Sequence, residues 1–314
     1  MKLIIQIPCY NEEKTLPCVI SSLPHKIDNI DSIEILVIND GSTDNTIKVA
    51  NELGVQHILD LHYHHGLAQV FRKGLERSLE LGADIIVNTD GDNQYKGQDI
   101  PRLIEPIIRK KAEMVIGCRN ISEIKHFSFG KKILQKFGSY IVRRFSKTNI
   151  PDTTSGFRAY SRDAALRLNV FSTYTYTLET IIQAGRKEIP LAHIGIETNP
   201  KLRESRLIKS IPSYVIRSVV TILRIYLMYE PMKFFVKFGA LFLAGASVLG
   251  MRYLYFFFLG PKRSGHIQSL ILALILTVIG VQLIFTGFLA DIIAANRKLA
   301  EDILYRQKKQ QLKS

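Results

Sequence analysis

The sequence predicts an α/β fold: a mostly parallel sheet with helices on both faces, then an amphipathic juxtamembrane helix and a C-terminal two-helix transmembrane hairpin. Three observations predict it. As far as about Thr198, short runs rich in Ile and Val alternate with amphipathic helical stretches, the pattern of buried strands joined by helical crossovers. Two long apolar stretches occur in the C-terminal third and nowhere else. Basic residues crowd the flanks of those stretches. The expected boundaries are 1–207 for the α/β domain, 208–233 for the interface helix and 234–314 for the membrane domain with its basic tail.

The strand-like runs are Leu3 to Ile7, Ile33 to Ile38, Gln56 to Leu59, Asp84 to Asn88 and Met114 to Gly117. The first ends at once in Asn11-Glu12-Glu13 and has no small-residue cleavage site, so it reads as a strand and not as a signal peptide. Ser42-Thr43-Asp44 opens a helix, and Leu67, Val70, Phe71, Leu75 and Leu79 form the apolar stripe of another. From Ile211 to Tyr229, Val215, Val219, Ile222, Leu223 and Tyr226 share one side while Arg217 and Arg224 lie elsewhere, as in a helix lying on a membrane surface. Phe238 to Leu259 is the first span, with Arg252 close enough to the Gly260 end to snorkel to the headgroups. Ile267 to Ala290 is the second; free of charge, it reaches about 36 Å as a helix, enough to cross roughly 30 Å of hydrocarbon. Arg203, Arg206, Lys209, Arg217, Arg224, Lys233 and Lys237 precede the hairpin, and Arg297, Lys298, Arg306, Lys308, Lys309 and Lys313 follow it, against Lys262 and Arg263 in its loop. The asymmetry predicts an integral inner or plasma membrane protein with the α/β domain and both termini cytoplasmic.

A net charge of +14 calls for an anionic partner: nucleic acid, a phosphorylated ligand or a membrane surface. Nucleic-acid binding accounts for the charge but not for its concentration around the hairpin, and is set aside. Cys9, Cys18 and Cys118 form no C-x-x-C pair, so neither a disulfide framework nor a zinc knuckle is indicated. No G-x-G-x-x-G or G-x-x-x-x-G-K-[ST] fingerprint is present, which disfavours a dinucleotide enzyme or a P-loop ATPase.

Acidic and polar residues stand at the strand exits instead. Strand one leads into Pro8-Cys9-Tyr10-Asn11-Glu12-Glu13, strand two into Asn39-Asp40-Gly41-Ser42-Thr43-Asp44 and strand four into Thr89-Asp90-Gly91-Asp92-Asn93-Gln94. In a parallel sheet these exits share one edge and converge on one crevice, where such folds bind ligands. Any one of them alone is a turn or a helix cap; the combination points to a site. His62, His64 and His65 resemble a metal cluster but lack carboxylates or cysteines at ligand spacing.

These motifs, with His64-His65-Gly66-Leu67-Ala68-Gln69, Ile116-Gly117-Cys118-Arg119 and Asp152-Thr153-Thr154-Ser155-Gly156-Phe157-Arg158, resemble a family 2 glycosyltransferase of the GT-A fold, in the branch of dolichyl-phosphate mannosyltransferase and bacterial polyprenyl-phosphate glycosyltransferases. The resemblance covers Leu3 to about Arg206. It implies that Asp90, Asp92 and Gln94 meet a divalent metal and the donor diphosphate, with Asp92 and Gln94 closest to the metal. Mg²⁺ or Mn²⁺ is the implied cofactor, since hard cations take oxygen ligands and complete their shells with water and phosphate. It implies that Pro8, Tyr10, Asn11, Glu12, Asp40 and Asp44, with Asp90, cradle a UDP- or GDP-linked sugar. Arg119 is the implied phosphate contact, while Arg158 is either a second one or a structural partner of an acid such as Asp152.

A polyprenyl phosphate acceptor, undecaprenyl or dolichyl, is already largely ionised at neutral pH, so it needs positive charge more than a strong base. Arg203, Ser205, Arg206 and Lys209 resemble the basic element of lipid-phosphate enzymes, with Glu204 where glycine is common. Asp152 is the carboxylate best placed to assist the acceptor, and Glu179 aligns with an acidic position on the acceptor side. A processive polysaccharide synthase would use Q-x-x-R-W, and the chain has no tryptophan. The remaining alternatives are a different acceptor, or a noncatalytic lipid-binding scaffold with the same fold. Two helices per chain do not line a lipid path, so any translocation would need a homo-oligomer.

Overall fold

The computed structural model describes residues 1–119, 142–143, 146, 148–172, 175–200, 211–259 and 267–312. The chain divides into two compact units, Met1–Ile222 with Tyr305–Ser314, and Leu223–Leu304.

The first unit is built on a seven-stranded sheet: β1 (Lys2–Cys9), β2 (Ser32–Asp40), β3 (His57–Leu61), β4 (Ile85–Asn88), β5 (Met114–Arg119), β6 (Arg158–Ser161) and β7 (Leu191–Ile196), in the order β3-β2-β1-β4-β6-β5-β7. Every neighbouring pair is parallel except the two made by β6, which runs against β4 and β5. The five expected strands are all present. β1 and β4 sit centrally, so Leu3, Ile4, Ile5, Ile85, Ile86 and Val87 are buried on both faces and the sequence reads as unbroken apolar runs. β6 and β7 were not anticipated. β6 begins at Arg158, a residue that argues against a buried strand until its guanidinium is seen to be fully bonded. β7 alternates at the sheet edge, with Ala192, Ile194 and Ile196 on the core and His193 and Gly195 exposed.

The helices are α1 (Leu16–Ser21), α2 (Thr46–Glu52), α3 (Leu67–Glu80), α4 (Ile100–Ile108), α5 (Arg162–Arg167) and α6 (Thr177–Arg186). α3 carries the expected stripe, Val70, Phe71, Leu75 and Leu79, into the core. α4 starts with Pro101, whose missing N–H costs nothing in the first turn, and it buries Ile100, Leu103, Ile104 and Ile107. Tyr305, in the C-terminal segment of this unit, donates to Asp163 (2.6 Å) beneath the Arg167 guanidinium.

Three further helices follow: α7 (Ile211–Tyr229), α8 (Pro231–Leu259) and α9 (Ile267–Gln311). α8 and α9 are long and apolar enough to cross a membrane. Each exceeds its expected span because the helix continues through charged residues: Lys233 and Lys237 precede the first span, and Asp291, Arg297 and Lys298 follow the second. Within the second unit they pack through small residues: α9 buries Ala273, Gly280, Gly287 and Ala294 at intervals of seven, and α8 buries Gly239 and Ala246. The backbones approach so closely that a Cβ at Gly280 would lie 2.8 Å from Leu243 Cγ and 2.9 Å from the Gly239 carbonyl. Gly280→Leu is therefore expected to destabilise the hairpin by about 1–3 kcal/mol, read as a lower Tm in detergent micelles. Gly250→Leu, where nothing lies within 4 Å, is the control. Equal melting of the two variants would show that the small-residue seam does not hold the hairpin.

Candidate active site

The carboxyl ends of β1, β2, β3, β4 and β5 share one edge of the sheet, and β6 begins there because it is reversed: Arg158 lies opposite Asn88. The loops after β1 and β2 are tied together. Asn11, at a φ of 56°, donates its amide to Ser42 Oγ (2.9 Å) and accepts from the Thr43 amide (2.7 Å). The Glu12 amide donates to Thr46 Oγ1 (2.8 Å) and its carboxylate accepts from Thr15 Oγ1 (2.6 Å). Asp44 accepts from the amides of Glu13 (3.1 Å) and Thr46 (3.0 Å). Burial works against the Asp44 charge, but the Thr46 hydroxyl and then those amides outweigh it and hold the carboxyl below its usual range.

Asp40 is buried and turned toward the loop after β3, where it accepts from the amides of His65 (2.7 Å) and Gly66 (3.0 Å) and lies 2.9 Å from His64 Nδ1. Its geometry is that of a loop anchor. Gly41 is required for it: at a φ of +67°, a Cβ would lie 2.8 Å from the Tyr63 carbonyl carbon. His64 in turn stacks against Tyr10, ring centroids 4.3 Å apart, so the histidine loop closes on the loop after β1. Pro8, Tyr10, Asn11, Glu12, Asp40 and Asp44 are thus one assembly.

The loop after β4 lies across this assembly. Gly91 packs so closely that its Cβ would meet Cys9 Sγ and the Pro8 carbonyl, both at 3.2 Å. Asp92 accepts from the Gln94 amide (3.0 Å), and Asn199 holds the far side by donating to the Asn93 (3.0 Å) and Gln94 (2.9 Å) carbonyls. Asp90 is pushed up to about 7, first by burial and then by the Asp92 carboxylate, with Glu12 adding to it and Arg119 and Arg158 opposing. The Asp90 and Asp92 carboxylates, with the Gln94 side-chain carbonyl on the same loop, are oxygen donors of the kind that suits a hard divalent cation. Among the described residues no three His, Cys, Asp or Glu side chains converge on one metal position, so such an ion would need water and phosphate to complete its shell.

On the other side of β4, Arg119 is clamped by Asp152: Nε to Oδ2 is 2.7 Å and Nη2 to Oδ1 3.2 Å, with a further bond from Nη2 to Thr154 Oγ1 (3.0 Å). Burial disfavours the Asp152 charge, but Arg119 more than offsets it, and the carboxyl is held below its usual range. So paired, Asp152 anchors the Arg119 guanidinium. Arg158 is fully buried and donates to the carbonyls of Ser155 (2.7 Å), Thr177 (2.9 Å) and Thr153 (3.0 Å) and to Thr180 Oγ1 (2.6 Å). It braces the segment before β6 and pairs with carbonyls, not with Asp152. Glu179 is likewise buried and accepts from the Phe171 (3.1 Å) and Ser172 (2.9 Å) amides, a loop-capping geometry. Arg203, Ser205, Arg206 and Lys209 lie outside the described residues. A cavity of about 790 Å³ opens beyond β5 and β7, among Lys96, Arg102, Arg119, Pro151, His193 and Glu197.

Sequence reasoning missed Asn88, Tyr95, Thr154, Tyr176 and Asn199, all of which hold the site loops. Asn88 offered a signal, since it ends a strand buried along its whole length.

Parallel strands that deliver an Asp-x-Asp loop and interlocked acidic loops to one crevice define a glycosyltransferase of the GT-A class. The chain belongs to Glycosyl transferase family 2, whose pattern matches residues 4–168. It is 31% identical over 221 residues to the UDP-N-acetylglucosamine–dolichyl-phosphate N-acetylglucosaminyltransferase of Methanococcus voltae, covering 61% of this chain and 83% of that one. It is 26% identical over 302 residues to the undecaprenyl-phosphate 4-deoxy-4-formamido-L-arabinose transferase of Salmonella choleraesuis (strain SC-B67), covering 93% and 88%. Glucosyl-3-phosphoglycerate synthase from Mycobacterium tuberculosis, solved with Mn²⁺, UDP and phosphoglyceric acid, shares the fold with a TM-score of 0.53 at 18% identity, over 70% of this chain and 78% of that chain.

Proposed function

We propose that this glycosyltransferase is membrane-bound and moves a single sugar, with inversion, from a UDP- or GDP-linked donor to a polyprenyl phosphate, releasing the nucleoside diphosphate. The observation that carries the reading is the division of the crevice: acidic loops after β1, β2 and β4 on one side, and the Arg119 guanidinium held by Asp152 on the other. The names of the Methanococcus and Salmonella relatives support a lipid phosphate acceptor. The two membrane-length helices and their basic flanks support a cytoplasmic catalytic unit beside the bilayer.

An oxygen of the lipid phosphate attacks the anomeric carbon, the bond to the donor diphosphate breaks, and its electron pair leaves with the diphosphate. The attacking oxygen needs no base, because the second pKa of a phosphate monoester is near 6. This agrees with Asp152 being committed to Arg119. Asp92 and Gln94 would hold Mg²⁺ or Mn²⁺, which when bound neutralises the charge developing on the leaving diphosphate. Asp90 faces the donor beside them, and the assembly of Pro8, Tyr10, Asn11, Glu12, Asp40 and Asp44 walls the nucleotide side.

Purified protein, undecaprenyl phosphate and Mn²⁺ are expected to transfer label from at least one of UDP-glucose, UDP-N-acetylglucosamine and GDP-mannose into organic-extractable lipid, and EDTA is expected to abolish it. Label that reaches only water-soluble products would overturn the lipid acceptor. A folded protein that turns over no donor would favour a noncatalytic scaffold.

A further inference from the structure

A buried polar chain runs beneath the acidic loop, from the two central strands of the sheet to Gly156. Gln6 and Asn88 are fully buried on adjacent central strands, and Gln6 Nε2 donates to Asn88 Oδ1 (2.8 Å). Asn88 Nδ2 donates to the Tyr176 hydroxyl and to the Gly156 carbonyl, both at 2.9 Å. The Tyr176 hydroxyl donates to the same carbonyl (3.2 Å), while the Gly156 amide donates to the Tyr95 hydroxyl (3.0 Å). Both backbone groups of Gly156 are therefore held by side chains. The two phenols are themselves fixed: Tyr176 stacks on Phe71 at 3.8 Å and 4°, and Tyr95 on Phe157 at 5.2 Å and 14°.

Asp90 packs directly against Gly156, on the side that the Tyr176 hydroxyl also approaches. A Cβ there would lie 3.0 Å from each Asp90 carboxylate oxygen and 3.0 Å from the Tyr176 hydroxyl. Burial, and after it the Asp90 charge, pushes Tyr176 well above the usual phenol range, so the hydroxyl keeps its proton and remains a donor. Apolar side chains would fill the same space without desolvating two amides and two phenols, or leaving Gln6 Oε1 without a partner among the described residues; a buried hydrogen-bonded network fixes one geometry instead.

We propose that Tyr176, with Asn88 and Tyr95, is a positioning residue for Asp90: the three hold Gly156 as the floor on which the Asp90 carboxylate sits, and so set its height and angle in the donor crevice. The inference rests on the reading of Asp90 as a donor-facing carboxylate.

Tyr176→Phe removes the hydroxyl and keeps the ring on Phe71. The expected result is a fall in kcat of about 10–100-fold with donor KM changed less than about threefold, since a small misplacement of a reacting-site group is enough for that loss. In an Asp90→Asn background the same substitution is expected to change the residual rate by less than about twofold, because the group it positions is already altered. A Tyr176→Phe enzyme with wild-type kcat, or one whose full loss persists in the Asp90→Asn background, would overturn the proposal. Crystal structures of wild type and Tyr176→Phe decide independently of turnover: the Asp90 carboxylate is expected to shift by about 0.5 Å or more, and an unmoved carboxylate overturns the proposal. Failure of the wild type to transfer from any donor in the panel above bears on the proposed function alone, and the crystal comparison still tests the frame.

Discussion

Asp92→Ala is expected to lower sugar transfer by about 10³-fold or more, equivalent to ~4 kcal/mol of transition-state stabilisation, while leaving the fold intact. Asp92 sits on a loop at partial exposure, and its side chain bonds locally, to the amide of Gln94. The loop keeps its other anchors: Asn199 holds the Asn93 and Gln94 carbonyls, and Gly91 stays packed on Pro8 and Cys9. A change in Tm of less than about 2 °C should therefore accompany the lost activity. The two measurements together are informative, because unfolding would also abolish transfer but would move Tm. Activity within tenfold of wild type at saturating Mn²⁺ would sink the assignment of Asp92 to the metal.

Asp152→Ala is expected to act in the opposite way, through stability first. It leaves the Arg119 guanidinium buried with Thr154 Oγ1 as its remaining side-chain hydrogen-bond partner among the described residues, and removing one member of a buried ion pair costs about 3–5 kcal/mol. For a unit of this size that corresponds to a fall in Tm of roughly 10 °C. Replacing both members, Asp152→Leu with Arg119→Met, should recover much of the loss in Tm and none of the activity, which separates the structural clamp from the phosphate contact. The pair also sets an acid limit. Because the folded Asp152 titrates below its unfolded value, its contribution is complete above the unfolded pKa of about 3.9 and is lost as pH falls through the lower folded value. Wild type should thus lose stability below about pH 4 more steeply than Asp152→Asn. Parallel acid unfolding curves for the two proteins would show that the clamp contributes little.

The fold was legible where burial is two-sided. Leu3 to Ile7 and Asp84 to Asn88 announce central parallel strands because no face of them meets water, and the stripe from Leu67 to Leu79 announces a helix lying on them. β6 was hidden by Arg158, whose charge is tolerated only because carbonyls 3, 5 and 19 residues away in sequence converge on it. No local pattern encodes that convergence. β7 alternated visibly, but its short apolar residues weakened the signal. At the site, the carboxylates after β1, β2 and β4 were evident from their places at strand exits, whereas their orientations were not. Asp40 turns to the His64–Gly66 loop, and Asp152 closes on Arg119, through contacts 25 and 33 residues apart. Tyr95 and Tyr176, which hold Gly156, and Asn199, which holds the loop after β4, resemble ordinary core or loop positions in the sequence, since a phenol in a core and an amide in a loop are the commoner uses of both.

Because β6 runs against its neighbours, the chain leaves the sheet at Arg119 and re-enters it at Arg158 on the same edge. A parallel re-entry would oblige the intervening chain to recross the height of the sheet, as a crossover connection must. A return along the same edge has no such minimum length, and lengthening it adds only slowly to the entropy of closure. β1 and β2, which carry two of the acidic loops, pair with neither β5 nor β6, whereas β4, which carries the Asp-x-Asp loop, pairs with β6. The connection from β5 to β6 can therefore change in length without touching the pairing of β1, β2 and β3.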